Sequence, residues 1–209
     1  DGDAGALSEA LAPLLSENTL PAEQELVRQL GLVIRIKRSF PPQQQRAIEL
    51  CICIMAEGMA SFQRDRAAYG LSDLSALDDY CYHVAGVVGE MLTTLFCSYS
   101  ERIAQHEKAM MQLALSFGQG LQMVNILKDM WEDDSRSACW LPRDIFLHEG
   151  IKIENLRENG NGEGFRLALE KLISIAHQHL ERALQYVKLI PPREKGIRRF
   201  CLWSLGMAV

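Results

Sequence analysis

The sequence predicts an all-α protein of one domain. Long stretches carry apolar residues at helical spacing, and prolines, glycines or capping residues bound them. Residues 33–37 alternate in polarity as a strand would, but that run is short and lies between helical patterns. The chain has 209 residues, 48% of them hydrophobic, and no internal repeat, so it is long enough to build one core of its own.

The first third of the chain predicts three helical segments. Residues 1–18 carry a loose helical pattern that Pro13 interrupts. Pro21 suits the first position of a helix that ends at Ser39. The next helix covers residues 43–66, with glycine as its one internal breaker.

A loop and a cap precede the next helix, which covers residues 78–99. Asp78 and Asp79 are best explained as its N-cap and first-turn acid. Gly86 and Gly89 lie three residues apart on one face, where their small size permits close approach by a neighbouring helix or a ligand.

The rest of the chain predicts three more helices. A long helix covers residues 107–133, and residues 135–143 are irregular. The glycine-rich run at residues 160–164 predicts a turn before a long helix over residues 165–190. A proline pair then separates that helix from the last one, over residues 196–209.

Composition excludes several classes of protein. A net charge of −5 without a basic face argues against nucleic acid as a partner. The six cysteines form no CxxC pair and mostly lie in apolar runs, which favours reduced core thiols over disulfides or a metal site. The sequence contains no signal peptide and no apolar run long enough for a membrane span. We therefore expect a cytoplasmic protein, at most peripheral to the membrane.

One helix carries a polar stripe near its C-terminal end. At about 100° per residue, Gln122, Asn125, Asp129 and Asp133 share an arc of roughly 80°. Such a stripe is either a solvated face or a ligand-binding face. Few basic residues lie at the spacing that forms ion pairs along a helix, and acids at this end oppose the helix dipole. These two observations favour a ligand-binding face.

The chemistry of the stripe indicates the kind of ligand. Carboxylate and amide oxygens without nearby His or Cys suit Mg²⁺ better than Zn²⁺. Asp129 and Asp133 lie one turn apart, roughly 6 Å along the helix axis, which suits ions shared with a bound anion. Because Mg²⁺ usually completes its octahedron with waters and substrate phosphates, the stripe predicts a diphosphate site.

Other candidate residues have a structural alternative of equal or greater weight. Tyr80 is either a phenol at a functional site or a core tyrosine with a satisfied hydroxyl. Four histidines in polar segments are interpreted as surface or core residues: His106, His148, His177 and His179. A basic cluster is interpreted as a solvated face rather than a surface for an anionic substrate or a membrane: Lys188, Arg193, Lys195, Arg198 and Arg199.

Three stretches together resemble one protein family. YCYHVAGVVGEMLTTLF at residues 80–96 resembles the Y-C-x-x-V-A-G-x-V-G motif of squalene and phytoene synthases. GLQMVNILKDMWEDD, followed by CWLP, resembles the family's second aspartate-rich motif, L-Q-x-x-N-I-x-R-D-x-x-E-D. The tail RRFCLWSLGMA resembles a pocket-lining segment of the family, and the three matches occur in the family's order.

The resemblance implies an isoprenoid synthase fold, which is a single bundle of long helices around a central cavity. It also implies head-to-head condensation of two prenyl diphosphates, farnesyl or geranylgeranyl, through a cyclopropyl intermediate after Mg²⁺-assisted loss of diphosphate. The product would be squalene or a phytoene-like hydrocarbon, and squalene formation would need NADPH in addition. Release of such a product would bring the protein into peripheral contact with a membrane. The oligomeric state stays open.

Matching the motifs residue by residue implies specific roles. Asp129 and Asp133 would hold Mg²⁺, with Asn125 as a further ligand or a diphosphate contact. Tyr80 would contact diphosphate or assist proton transfer, and Gln122 would face the cavity. The prenyl channel would be lined by Val84, Ala85, Gly89, Leu92 and Leu121.

Two departures from the family pattern qualify the resemblance. Lys128 occupies a diphosphate-binding position where the family usually has Arg, which keeps the charge but loses bidentate contact. The first aspartate-rich motif is absent, and Asp1 and Asp3 do not reproduce it. We therefore expect a domain, residues 1–209, truncated at both ends relative to the family, lacking its N-terminal helices and poorly active alone. The alternative function is a catalytically inactive member that acts as a helical assembly or lipid-binding factor.

Overall fold

The computed structural model describes residues 4–65, 69–160 and 162–209, and over these residues the fold is all-α, as predicted. Asp1, Asp3, Arg66 and Asn161, which enter the sequence predictions, lie outside the described residues. The helices, in chain order, are α1 Ala4–Leu11, α2 Pro21–Arg28, α3 Leu30–Arg38, α4 Pro42–Asp65, α5 Leu74–Cys81, α6 Val87–Tyr99, α7 Glu101–Ala104, α8 Glu107–Ser135, α9 Arg143–His148, α10 Leu156–Asn159, α11 Glu163–Leu189 and α12 Lys195–Ala208.

The chain forms two compact units, residues 1–46 and 47–209, so the single domain stays a prediction. In the first unit, a 3₁₀ turn containing Pro13 ends α1, and α2 begins at Pro21 as expected. The predicted helix up to Ser39 is divided, because the backbone at Gln29 (φ −85°, ψ 2°) leaves the helical conformation between α2 and α3.

Helix α8 is the centre of the second unit and packs against α6 and α11. A Cβ atom at Gly89 would lie 2.3 Å from the carbonyl oxygen of Ala114, and one at Gly118 would lie 2.2 Å from that of Ala85. Only residues without a side chain allow the two backbones to approach so closely. Gly89 thus makes the close approach to a neighbouring helix that its small size permits, and a Cβ at Gly86 would lie 2.6 Å from the Leu115 side chain of the same helix.

The helix predicted over residues 78–99 begins earlier and is interrupted. The Asp73 carboxylate accepts a hydrogen bond from the backbone N–H of Ala76 at 2.9 Å and caps α5. Asp78 and Asp79 lie inside α5, so their predicted role as N-cap and first-turn acid was wrong. A π-helical segment, Tyr82–Gly86, then separates α5 from α6.

The second half agrees with the prediction in its long helices and differs in its short ones. Helix α8 is two residues longer than predicted and contains the whole polar stripe. Helices α7, α9 and α10 have four to six residues, too few for a periodic pattern to identify them. After α8, the backbone N–H of Leu71 donates to the carbonyl of Leu141 at 3.0 Å, and Arg143 donates to Leu71 at 2.8 Å. This bridge is the one β-type pairing within the described ranges.

No helix in the described part of the chain combines the length and the apolar character that crossing a membrane requires.

Candidate active site

The polar stripe lies on the last four turns of α8. Gln122 and Asp133 are half-buried, whereas Asn125 and Asp129 are exposed. All four belong to one uninterrupted helix, so the spacing that the sequence predicted is realised in the backbone.

The acids of this helix end fall into two groups. Glu132 forms an ion pair with Arg136, and Asp134 forms one with Arg157 from α10. Among the residues that the structure describes, Asp129 and Asp133 have no ion-pair partner. The two acids left unpaired are therefore the two that the stripe assigns to a cation.

The electrostatics at Asp133 support this distinction. Its partial burial raises the pKa of the carboxyl group above the ordinary value, and the negative charge of Asp129 raises it further. A cation or a proton near the two carboxylates would relieve that repulsion. The site therefore attracts positive charge.

The donor set fits a hard cation that is completed by a ligand. Within the described ranges, no three His, Cys, Asp or Glu side chains lie close enough together to hold a metal ion. Two carboxylates and the Asn125 amide leave coordination positions for water or for an anion, as Mg²⁺ prefers. The residues present therefore fit Mg²⁺ that is shared with a bound diphosphate better than a closed structural metal site.

An apolar cavity of about 340 Å³ adjoins the N-terminal half of the stripe. Its walls come from the π-helical segment and from helices α6, α8, α11 and α12. The five residues expected in the prenyl channel all line it, together with Gln122 and Asn125: Val84, Ala85, Gly89, Leu92 and Leu121. The cavity thus joins a polar mouth on α8 to an apolar interior.

The π-helical segment shapes the cavity wall next to α8. The backbone N–H of Val87 donates to the carbonyl of Tyr82, five residues earlier, which defines the widened turn. This turn places Val84 and Ala85 at the cavity and brings the Ala85 carbonyl against Gly118. π-Helical turns often occur at functional sites, which agrees with this position.

Tyr80 lies in the core and is not one of the residues that line the cavity. Its ring stacks on Trp140 with centroids 4.1 Å apart and meets Phe62 edge to face at 5.2 Å. Burial raises the pKa of Tyr80 to about 12, with a smaller contribution from Asp133. Tyr80 therefore remains protonated near neutral pH. Because Tyr80 lies close enough to Asp133 to be affected by its charge, the contact between Tyr80 and diphosphate stays a prediction.

Lys128 is exposed on α8, and its ammonium group donates to the carbonyl of Met207 at 3.0 Å. This bond ties the stripe end of α8 to α12. Its predicted contact with diphosphate stays a prediction.

Sequence reasoning missed several cavity residues and could have found some of them. Phe96 lies one turn after Leu92, and Phe117 lies one turn before Leu121, so the same helical spacing extends the predicted wall. Tyr186 comes from α11 and carried no such signal. Val88, Ala114 and Gly118 are further lining residues outside the prediction, whereas Phe200, Cys201 and Ser204 belong to the tail whose resemblance implied a pocket-lining segment.

A buried hydroxyl pair fixes Tyr186 at the cavity. The Thr93 hydroxyl donates to the carbonyl of Gly89 at 2.8 Å, so it accepts from the Tyr186 hydroxyl, 2.9 Å away. Tyr186 also meets Phe117 edge to face, with ring centroids 5.4 Å apart. The polar atom of this lining residue is thus turned into the protein and away from the apolar interior.

Known proteins are similar to this chain along most of its length. The family model described as squalene/phytoene synthase matches residues 4–209. Squalene synthase 1 of Arabidopsis thaliana is 30% identical over 168 residues, which are 79% of this chain and 39% of that protein. Phytoene synthase of Thermus thermophilus is 33% identical over 118 residues, which are 56% of this chain and 37% of that protein. The chain thus spans about two fifths of the length of these relatives.

A solved structure supports the fold. Squalene synthase HpnC from Alicyclobacillus acidocaldarius aligns with a TM-score of 0.62 at 20% identity, covering 100% of this chain and 72% of that one. At this identity the similarity concerns the fold alone, and it agrees with the all-α architecture.

Proposed function

The chain belongs to the squalene/phytoene synthase family, and we propose that it catalyses the head-to-head condensation of two prenyl diphosphates, farnesyl or geranylgeranyl. One observation carries the proposal, which is that a single helix, α8, joins two kinds of surface. Near its C-terminal end it presents two carboxylates without ion-pair partners among the described residues, and up to Asn125, one turn before the first of them, it lines an apolar cavity. A prenyl diphosphate has the same two parts, an anionic head and an apolar chain.

The head of the substrate would lie at the stripe. Asn125, Asp129 and Asp133 would hold Mg²⁺ there, and the bound ion would neutralise the diphosphate leaving group. Lys128 would add a positive charge from the same helix, and Tyr80 would contact the diphosphate or assist proton transfer as a protonated phenol. NADPH would be needed if the product is squalene.

The chain of the substrate would lie in the cavity. Loss of diphosphate leaves an allylic cation, which the double bond of the second substrate attacks. The new carbocation would lose a proton to the released diphosphate as the cyclopropane ring closes, which gives the cyclopropyl intermediate. Leu92 and Leu121 present hydrocarbon to these species and exclude the water that would capture them. Since the Tyr186 hydroxyl points towards Thr93, its oxygen is held away from the apolar interior of the cavity. A cytoplasmic location with peripheral membrane contact, where an apolar product would leave, completes the proposal.

Substitution of the unpaired acids tests the proposal. Asp129→Ala or Asp133→Ala in the full-length protein should lower turnover of prenyl diphosphate at least about 100-fold, because each removes a charge that holds the metal. Asp134→Asn is the matched control: it removes a neighbouring acid of the same helix end that is paired with Arg157, and turnover should change less than about threefold. Circular dichroism would establish that each variant is folded. Near-normal turnover of folded Asp129→Ala and Asp133→Ala would refute the metal assignment.

A further inference from the structure

Beyond the end of the apolar cavity lies a second one. It measures about 390 Å³ and is lined by Leu95, Phe96, Tyr99, Glu194, Gly196 and Ile197. Among the described residues, Phe96 is the one that lines both of these cavities, and we call it the partition. We call the second cavity the outer groove.

The partition is held in place from the side of α12. The rings of Phe96 and Phe200 meet edge to face, with centroids 6.4 Å apart and an interplanar angle of 79°. Edge-to-face pairs are favourable beyond the area that they bury. Phe96 also packs against the cluster that contains Cys97 and Tyr186, so its ring is fixed on more than one side.

Polar contacts hold the walls of the outer groove together. The Ser100 hydroxyl donates to the Glu194 carboxylate at 2.7 Å, and Arg102 lies 3.8 Å from the same carboxylate. These contacts tie the segment between α11 and α12 to the corner after α6. The Arg198 guanidinium donates to the carbonyl of Ile190 at 3.0 Å and braces the same segment.

The α6 wall of the outer groove is about as long as one isoprene unit. Residues 95–99 of α6 rise about 6 Å along the helix axis. An extended chain advances about 1.2 Å per bond, so the four main-chain bonds of an isoprene unit span about 5 Å. Joining the groove to the main cavity would therefore lengthen the apolar channel by about one five-carbon unit.

We propose that the Phe96 ring, held by Phe200, is the stop that sets the longest prenyl chain the cavity accepts. This inference rests on the proposed function. Phe96 is a specificity-determining residue in this account, since it meets the far end of the chain and not the reacting atoms.

Binding of two substrate analogues tests the stop. The dissociation constants of farnesyl and geranylgeranyl thiolodiphosphate, which resist ionisation, would be measured with Mg²⁺ by calorimetry on the full-length protein. In Phe96→Ala the preference for the longer analogue over the shorter one should rise at least about tenfold relative to the unsubstituted protein, because the extra unit gains an apolar site. Phe96→Trp, which thickens the partition, should shift the preference the opposite way.

Two further variants distinguish an effect of the partition itself from a general loss of packing around the outer groove. Leu95→Ala widens the outer groove and leaves the partition intact, so the preference should stay within about twofold. Phe96→Leu is milder and serves if Phe96→Ala does not fold; its shift should be smaller and in the same direction. A preference that stays unchanged in folded Phe96→Leu and Phe96→Trp would overturn the stop while leaving the proposed function standing. Failure of the unsubstituted protein to bind either analogue would overturn the proposed function itself.

Discussion

Gly118 is the point where a single added methyl group should disturb the candidate site most directly. A Cβ there would lie 2.2 Å from the carbonyl oxygen of Ala85 and 2.5 Å from its carbonyl carbon. Both atoms are backbone, so no side-chain rotation can remove the overlap. In Gly118→Ala, α8 and the π-helical segment must move apart, and the cavity wall at Val84 and Ala85 moves with them.

The magnitude follows from two opposing effects. Overpacking of this kind costs about 1–3 kcal/mol, and the overlap with fixed backbone places this site at the upper end. Replacing glycine by alanine inside a helix gains about 1 kcal/mol, which offsets part of the cost. We therefore expect the free energy of unfolding of Gly118→Ala to be about 2 kcal/mol lower than that of the unsubstituted protein, measured by urea titration.

Gly206 provides the matched control. It lies in α12, and a Cβ there would meet no atom within 4 Å. Gly206→Ala should therefore raise the free energy of unfolding by up to about 1 kcal/mol, through helix propensity alone. If Gly118→Ala is as stable as Gly206→Ala, the backbone contact between α8 and the π-helical segment is not as close as the structure has it.

Two more predictions concern buried polar groups. Thr93→Val leaves the Tyr186 hydroxyl without its partner and should lower the free energy of unfolding by about 1–3 kcal/mol, measured by urea titration. The control Thr94→Val should lower it by less than about 1 kcal/mol, because that half-buried hydroxyl donates within its own helix. Equal losses in the two variants would count against the hydrogen bond between Thr93 and Tyr186. Burial and the charge of Asp129 raise the pKa of the Asp133 carboxyl group in the folded protein. Protonated Asp133 therefore contributes stability at low pH, and this contribution is lost as the pH rises through the folded-state pKa. Asp133→Asn should therefore be more stable than the unsubstituted protein at pH 7 and similar at pH 3, and lower stability at pH 7 would contradict the cause assigned to the shift.

The long helices could be predicted because their signals are repeated many times. Helix α8 combines an apolar spacing over several turns with a polar stripe, and the structure keeps Gln122, Asn125, Asp129 and Asp133 on one helix. Residues one turn apart on a helix share a face whatever packs against it. The wall residues Leu92 and Leu121 were implied by the family motifs, and the structure places both at one cavity.

The start of α5 could not be predicted because three aspartates suit the same role. Asp73, Asp78 and Asp79 all suit an N-cap by residue type, and the choice depends on which carboxylate reaches a free backbone N–H. The π-helical segment could not be predicted either, because residues 82–86 fit an ordinary helical pattern. Their widened turn lies against α8, where the Ala85 carbonyl meets Gly118.

Contacts between helices that are distant in sequence could not be predicted either. The pairing of Thr93 with Tyr186 joins positions 93 residues apart, and neither residue stands out in a helical pattern. The partition at Phe96 depends on a groove whose other wall follows α11. Such features depend on how the helices are arranged in three dimensions. The apolar periodicity of a single helix does not contain that information.

The central claim is tested most directly by the product. The full-length protein would be incubated with Mg²⁺ and either farnesyl or geranylgeranyl diphosphate, with and without NADPH, and the apolar extract would be analysed by mass spectrometry. We predict a hydrocarbon that joins two prenyl chains, with squalene appearing only when NADPH is present. Recovery of intact diphosphates, or of single-chain prenyl alcohols alone, from a folded protein that binds Mg²⁺ would contradict the account and favour the inactive family member.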